Sequence, residues 1–209
     1  MTEKNFANLS KPVLTWEPEV AKSICHNASK FHAELESTGR PYLVALIGIP
    51  GAGKTTSAKI LGGLIPQSVV LPMDGYHYPL NVLKSMPDSA DKIYRRGAPD
   101  TFDCIRLKNS LLEITQSGCD KVYLPGFDHA VGDPVENAHC FIRADHKIVI
   151  MEGLYLLHKG TKGGWDKECI PDMFDYSIFI ESDLEACIDR LKTRNKCIPG
   201  YTAEEIEKR

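Results

Sequence analysis

The sequence lacks any apolar run approaching the length of a membrane span, which argues against an integral membrane protein. It has no internal repeat and no low-complexity segment, which excludes a repeat architecture. Positive charge is not in excess: 25 Lys and Arg face 28 Asp and Glu, for a net charge of −3. Nucleic-acid binding driven by bulk positive charge is therefore not expected. The seven cysteines are scattered, odd in number and without a C-x-x-C pair. That argues against a disulfide framework or a zinc site and fits a reducing cytosol. Residues 1–10 lack both a signal-peptide core and an Arg-rich transit composition, so a cytoplasmic location is expected. What remains is a chain of 209 residues, 43% hydrophobic and 25% charged, enough for one domain with a sizeable core.

Hydrophobic spacing predicts an amphipathic helix over residues 17–36, ended by Gly39-Arg40-Pro41. Residues 42–49 form a nearly all-apolar run, as for a strand buried on both faces of a parallel sheet. A Gly-rich turn follows, then a helix over 54–64. Further strands are predicted over 68–73, 121–124, 147–151 and 176–180. Helices are predicted from Phe102-Asp103 to Ser117-Gly118 and over 184–192. Residues 79–99 and 125–144 read as long loops, the first with at most one helical turn, and loops of that length in a compact domain are usually functional or disordered. Thr202 opens a last helix, with Glu205 at capping-box spacing. The alternation predicts an α/β fold, a five-stranded parallel sheet with helices on both faces, and ligands beyond the carboxyl ends of its strands. Residues 1–40 are expected to form an N-terminal helical extension, and 41–209 the main domain.

The strongest motif is Gly48-Ile49-Pro50-Gly51-Ala52-Gly53-Lys54-Thr55, followed by Thr56. It matches G-x-x-x-x-G-K-[ST], the phosphate-binding P-loop. Its glycines let successive backbone N–H groups face phosphate oxygens, and the following helix adds its positive end. Lys54 would reach the β- and γ-phosphates of ATP, and the Thr55 hydroxyl would ligate Mg²⁺. A guanine-reading N-K-x-D is absent, since Asn195-Lys196-Cys197-Ile198 lacks the Asp. The length fits a small-molecule kinase better than a motor or AAA-type ATPase.

Two carboxylates follow strands. Asp74 could accept a proton from a substrate hydroxyl or help hold Mg²⁺, or it could be a turn residue before Gly75. Glu152 could act near Thr55 on a Mg²⁺-bound water or on the substrate, or simply open a polar turn. The long loops and their flanks carry groups suited to a polar ligand: Tyr76, His77, Arg96, Phe127, Asp128 and His129. The same stretches also hold Asp100, Asp103 and Asp133, and any one of these residues could equally be a solvated loop residue. Arg190 and Arg194, four apart on one helix, could close on a transferring phosphoryl group or pair with nearby acids. His139, His146 and His158 have no metal-ligand spacing.

Taken together, GIPGAGKTT, PMDGYH, RRGAPDTFD, LPGFDHAVGDP and VIMEGLYLL occur in the order seen in the phosphoribulokinase/uridine kinase family. From Tyr42 to Arg194 the chain resembles that family, closest to the branch similar to pantothenate kinase and to fructose-transport-system kinases. The resemblance implies an ATP- and Mg²⁺-dependent transfer of phosphate to a hydroxyl of a small polar metabolite, with neither nucleic acid nor membrane as partner. It implies Lys54 and Thr55 as phosphate and Mg²⁺ residues, Asp74 as general base and Glu152 as the acid after the fourth strand. Phe127-Asp128-His129 falls where uridine kinases carry Tyr-Asp-Phe against the nucleoside. Arg190 and Arg194 fall in the region leading into a lid near residues 190–202. Ala130-Val131-Gly132-Asp133 replaces the His and Arg residues that uridine kinases carry next, which departs from a uridine site. The chain stops at Arg209 inside a predicted helix, which reads as a truncated chain or a short variant. A uridine/cytidine kinase, and a P-loop ATPase or nucleotide-binding regulator without an acceptor, are the alternatives.

Overall fold

The structure is a computed structural model that describes residues 16–35, 39–116 and 118–195, the side chains of Arg194 and Asn195 excepted. The predicted last helix, most of the lid region and the Arg194 side chain lie outside the described residues.

Four parallel strands form the main sheet: β1 (Tyr42–Gly48), β2 (Ser68–Pro72), β5 (Ile148–Gly153) and β6 (Tyr176–Ile180), in the order β2-β5-β1-β6. The sheet thus has four strands, not the five expected. The segment predicted as a further parallel strand instead begins β3 (Lys121–Asp128), which pairs antiparallel with β4 (Asp133–Ile142) as a separate hairpin. Residues 125–144, expected as a loop, are therefore mostly strand. Pro125 sits where the register shifts between Leu124 and Gly126, so a proline that reads as a breaker is absorbed by an irregularity in the ladder.

The central strands β1 and β5 are almost wholly buried, and their alternate side chains serve two cores. Leu43, Ala45, Val149 and Met151 face one core, shared with helix α5 (Cys104–Thr115) and the hairpin residues Val122, Leu124 and Phe141. Val44, Leu46, Ile148 and Ile150 face the other, shared with α1 (Glu17–Glu34) and α2 (Lys54–Leu64). Helix α1 has Pro18 in its first turn and buries Ala21, Ile24 and Ala28 against this second core. Helix α5 is capped by Asp103, whose side chain accepts from Arg106 N at 2.9 Å.

Two short helices, α3 (Leu80–Ser85) and α4 (Ser89–Tyr94), occupy most of the span expected as a loop between residues 79 and 99. They are followed by α5, by α6 (Trp165–Glu168) and by α7 (Leu184–Asn195). Among the described residues no helix is long and apolar enough to cross a membrane, and six cysteines are free thiols.

Candidate active site

Sheet register brings the candidate residues to one edge. Glu152 on β5 lies between Leu46 on β1 and Pro72 on β2. The phosphate loop leaves β1 at Gly48, and Asp74 follows β2 in a 3-10 turn over Met73–Tyr76. Strand adjacency therefore sets the loop, Glu152 and Asp74 side by side beyond the carboxyl ends of the sheet.

The loop's glycines are used in different ways. Gly53 precedes α2 with φ +92°, a conformation that a side chain resists, and a Cβ there would meet no neighbouring atom within 4 Å. Gly51 has φ +79°, and a Cβ there would lie 2.5 Å from the Cys187 carbonyl oxygen of α7. The loop is thus seated on α7, and Arg190 of α7 adds a 3.0 Å hydrogen bond to the Gly51 carbonyl. Lys54 folds back over the loop, with Nζ donating to Ile49 O at 3.1 Å.

Thr55 Oγ1 donates to Glu152 Oε1 at 2.8 Å. Glu152 is buried, and burial pushes its carboxyl above the usual range; the Thr55 hydroxyl opposes that shift, and the negative charge of Asp74 adds to it. Among the described residues no three His, Cys, Asp or Glu side chains are grouped to hold a metal by themselves. A hard cation there would draw on Thr55, Glu152 and Asp74 together with phosphate oxygens, a donor set of the kind Mg²⁺ accepts.

Beside Asp74 stands an aromatic wall. His77 Nδ1 lies 2.8 Å from the Asp74 carbonyl oxygen. A carbonyl only accepts, so Nδ1 carries the proton of the neutral ring and Nε2 is left as an acceptor. Burial lowers the His77 pKa, the Asp74 hydrogen bond and charge oppose this, and Arg96 and His129 lower it further. The His77 ring contacts Phe102 (3.9 Å between centroids) and Phe127 (5.0 Å), and Phe127 contacts His129 (5.1 Å). Phe102 belongs to the RRGAPDTFD stretch, but nothing in its spacing singled it out. Tyr155 packs on Phe102 and donates to Gly97 O at 2.9 Å, which fixes that stretch from behind.

Not every expected residue faces this cleft. The Tyr76 side chain is buried in the core beside Arg106 and Ser110 of α5, and burial pushes its phenol up to about 12. Its place in the motif marks a core residue: the 3-10 turn buries Met73, Gly75 and Tyr76 together, and Gly75 is pressed on the hairpin, where a Cβ would lie 2.4 Å from Pro125 O. The Arg96 guanidinium is spent on protein oxygens: Tyr78 O, Gly132 O and Asp133. Asp128 Oδ1 caps the hairpin turn, accepting from Ala130 N at 2.8 Å. Asp100 pairs with Arg95 and Lys92 on the outer side of the same stretch.

No protein-family model matches the chain. It is 33% identical over 172 residues to the Schizosaccharomyces pombe protein named "Putative uridine kinase C227.14", covering 79% of this chain and 70% of that one. It is 30% identical over 151 residues to the pantothenate kinase of Shewanella denitrificans, covering 68% of this chain and 46% of that enzyme. Among solved structures it is similar to the "putative fructose transport system kinase" of Silicibacter sp. TM1040, with TM-score 0.69 and 26% identity, covering 86% of this chain and 85% of that one.

Proposed function

This chain belongs to the phosphoribulokinase/uridine kinase family of P-loop kinases and is a small-molecule kinase, and we propose that it transfers the γ-phosphoryl group of ATP to a hydroxyl of a small polar metabolite. The observation that carries the reading is the junction of three strand ends, where Thr55 of the phosphate loop bonds Glu152 and Asp74 follows the next strand, β2.

In this reading residues 48–56 wrap the ATP phosphates, and Lys54 swings from Ile49 O to the β- and γ-phosphates. Mg²⁺, bound to the phosphates, would neutralise charge on the transferred group. Thr55 and Glu152 hold the metal side of the cleft, with Asp74 close by. Asp74 accepts the proton of the acceptor hydroxyl as that oxygen attacks phosphorus. His77 Nε2 accepts a hydrogen bond from the acceptor, while Phe127 and His129 cover its other face. Arg190, released from Gly51 O, and Arg194 close from α7 to stabilise charge and exclude water.

The names of the relatives supply acceptor candidates. Uridine, pantothenate and fructose are each to be incubated with γ-labelled ATP, Mg²⁺ and the protein. A labelled product with one of them, together with acceptor-stimulated ADP release, supports a kinase for that acceptor. Labelled inorganic phosphate alone, at a rate indifferent to added metabolite, supports instead the ATPase reading.

A further inference from the structure

The acceptor wall is built on three separate stretches of chain, and one carboxylate joins them. Asp133 Oδ1, at the start of β4, accepts from Arg96 Nη2 at 2.6 Å and from Leu80 N at 3.0 Å. Arg96 in turn donates to Tyr78 O at 3.0 Å and to Gly132 O, and its guanidinium lies over the Phe127 ring, 5.6 Å from the centroid. The segment after the Asp74 turn, the segment after α4 and the hairpin tip are therefore tied at a single node. The Asp133–Arg96 pair is only part-exposed, at 28% and 13% of the side chains, so solvent screens it less than a surface pair. Neighbouring Arg95 is engaged by Asp91 and Asp100, and does not compete for Asp133.

The node is in contact with the chemistry through packing. Arg96 covers one face of Phe127, the Phe127 ring meets His77, and His77 holds the Asp74 carbonyl. The backbone of β3 just before Phe127 is fixed by the close approach of Gly75 to Pro125 and Gly126. The node ties the hairpin tip to Tyr78 O and Leu80 N and lays Arg96 over Phe127, so the placement of the Phe127 ring depends on it. An error of about 1 Å in such a wall costs up to about a hundredfold in rate.

We propose that Asp133, acting through Arg96, is a positioning residue that sets Phe127 and His77 against Asp74 and so fixes the acceptor half of the cleft. The inference rests on the reading of that cleft as the acceptor site. Asp133 touches neither acceptor nor nucleotide; it holds the residues that do. Arg96 thereby moves from the acceptor-binding set, where the sequence puts it, to the support behind it.

Two measurements on the Asp133→Ala and Asp133→Asn variants test this. The first is steady-state phosphotransfer with whichever of uridine, pantothenate or fructose the wild-type protein phosphorylates. For Asp133→Ala we expect the KM for that acceptor to rise about tenfold or more, with the KM for ATP within about twofold. Asp133→Asn, which keeps an acceptor oxygen for Leu80 N and Arg96, should fall between Asp133→Ala and wild type. The second is ¹H–¹³C NMR of the histidine rings of the nucleotide-free protein at one fixed alkaline pH, which needs no acceptor. The His77 ring lies against Phe102 and Phe127, so its ring-proton shifts report how those aromatic rings are placed. Loosening of the wall should move the His77 ring-proton shifts in Asp133→Ala. Those of His146, which accepts from Ile142 N at the far end of β4, should stay as in wild type. His77 shifts identical to wild type, a change shared equally by His146, or ATP and acceptor KM values that rise together would overturn the proposal. If none of the acceptors is phosphorylated, the acceptor reading fails by itself, and the His77 ring shifts still decide whether Asp133 holds the wall.

Discussion

The Thr55 hydroxyl donates a 2.8 Å hydrogen bond to Glu152 Oε1, and so joins the first turn of the phosphate-loop helix to the end of the neighbouring strand. The bond satisfies a buried carboxylate and aligns two oxygen donors on the side of the cleft where phosphate would lie. Thr55→Val keeps the shape and removes the hydroxyl. Phosphotransfer should fall by about a hundredfold or more, as when a single transition-state contact is lost. Stability should fall by about 1–3 kcal/mol, because the buried carboxylate loses this partner. Steady-state kinetics beside a thermal melt read both.

Gly51 and Gly53 separate two costs that sequence alone merges. Both adopt left-handed φ, but only Gly51 is pressed on α7. Gly53→Ala should cost about 1–3 kcal/mol, the usual range for backbone strain. Gly51→Ala should cost more, because its Cβ must also displace the Cys187 backbone. Urea unfolding of the two variants gives the difference, and equal values would show that the α7 contact is easily relieved.

The loop, its two flanking elements and the two carboxylates were legible in the sequence because each is local. Helix α2 begins and ends as the pattern predicts, at Lys54 and Leu64, and β6 spans Tyr176 to Ile180 as expected. Pairing partners are not local. The run beginning at Lys121 has a strand pattern, but nothing in it says that β4 rather than the parallel sheet receives its hydrogen bonds. Prolines and glycines in LPGFDHAVGDP hid the rest of that hairpin, since a ladder irregularity and a tight turn use the same residues as a loop. The wall's supports were equally hidden. Arg96 and Asp133 are 37 positions apart, and only the folded hairpin makes them a pair.

Four imidazoles, His32, His77, His139 and His146, are held below the ordinary histidine value chiefly by burial. Each folded-state pKa is depressed from 6.5, so the stability it contributes is present above pH 6.5 and is lost as the pH falls towards the folded values. The melting temperature should therefore decline as the pH drops below 6.5, before carboxylates titrate. His146→Asn should lessen the slope, since its Nδ1 must remain unprotonated to accept from Ile142 N. A flat profile over that window would contradict the burial reading.

Asp74 is the proposed base of the ATP-dependent phosphotransfer. Its most direct test is transfer of label from γ-labelled ATP to the acceptor in wild type and in Asp74→Asn, with the thermal shift on adding Mg-ATP measured on the same samples. The shift should be retained while labelled product falls by about a hundredfold to ten-thousandfold, the usual worth of a general base. Product formation by Asp74→Asn at the wild-type rate would contradict the account.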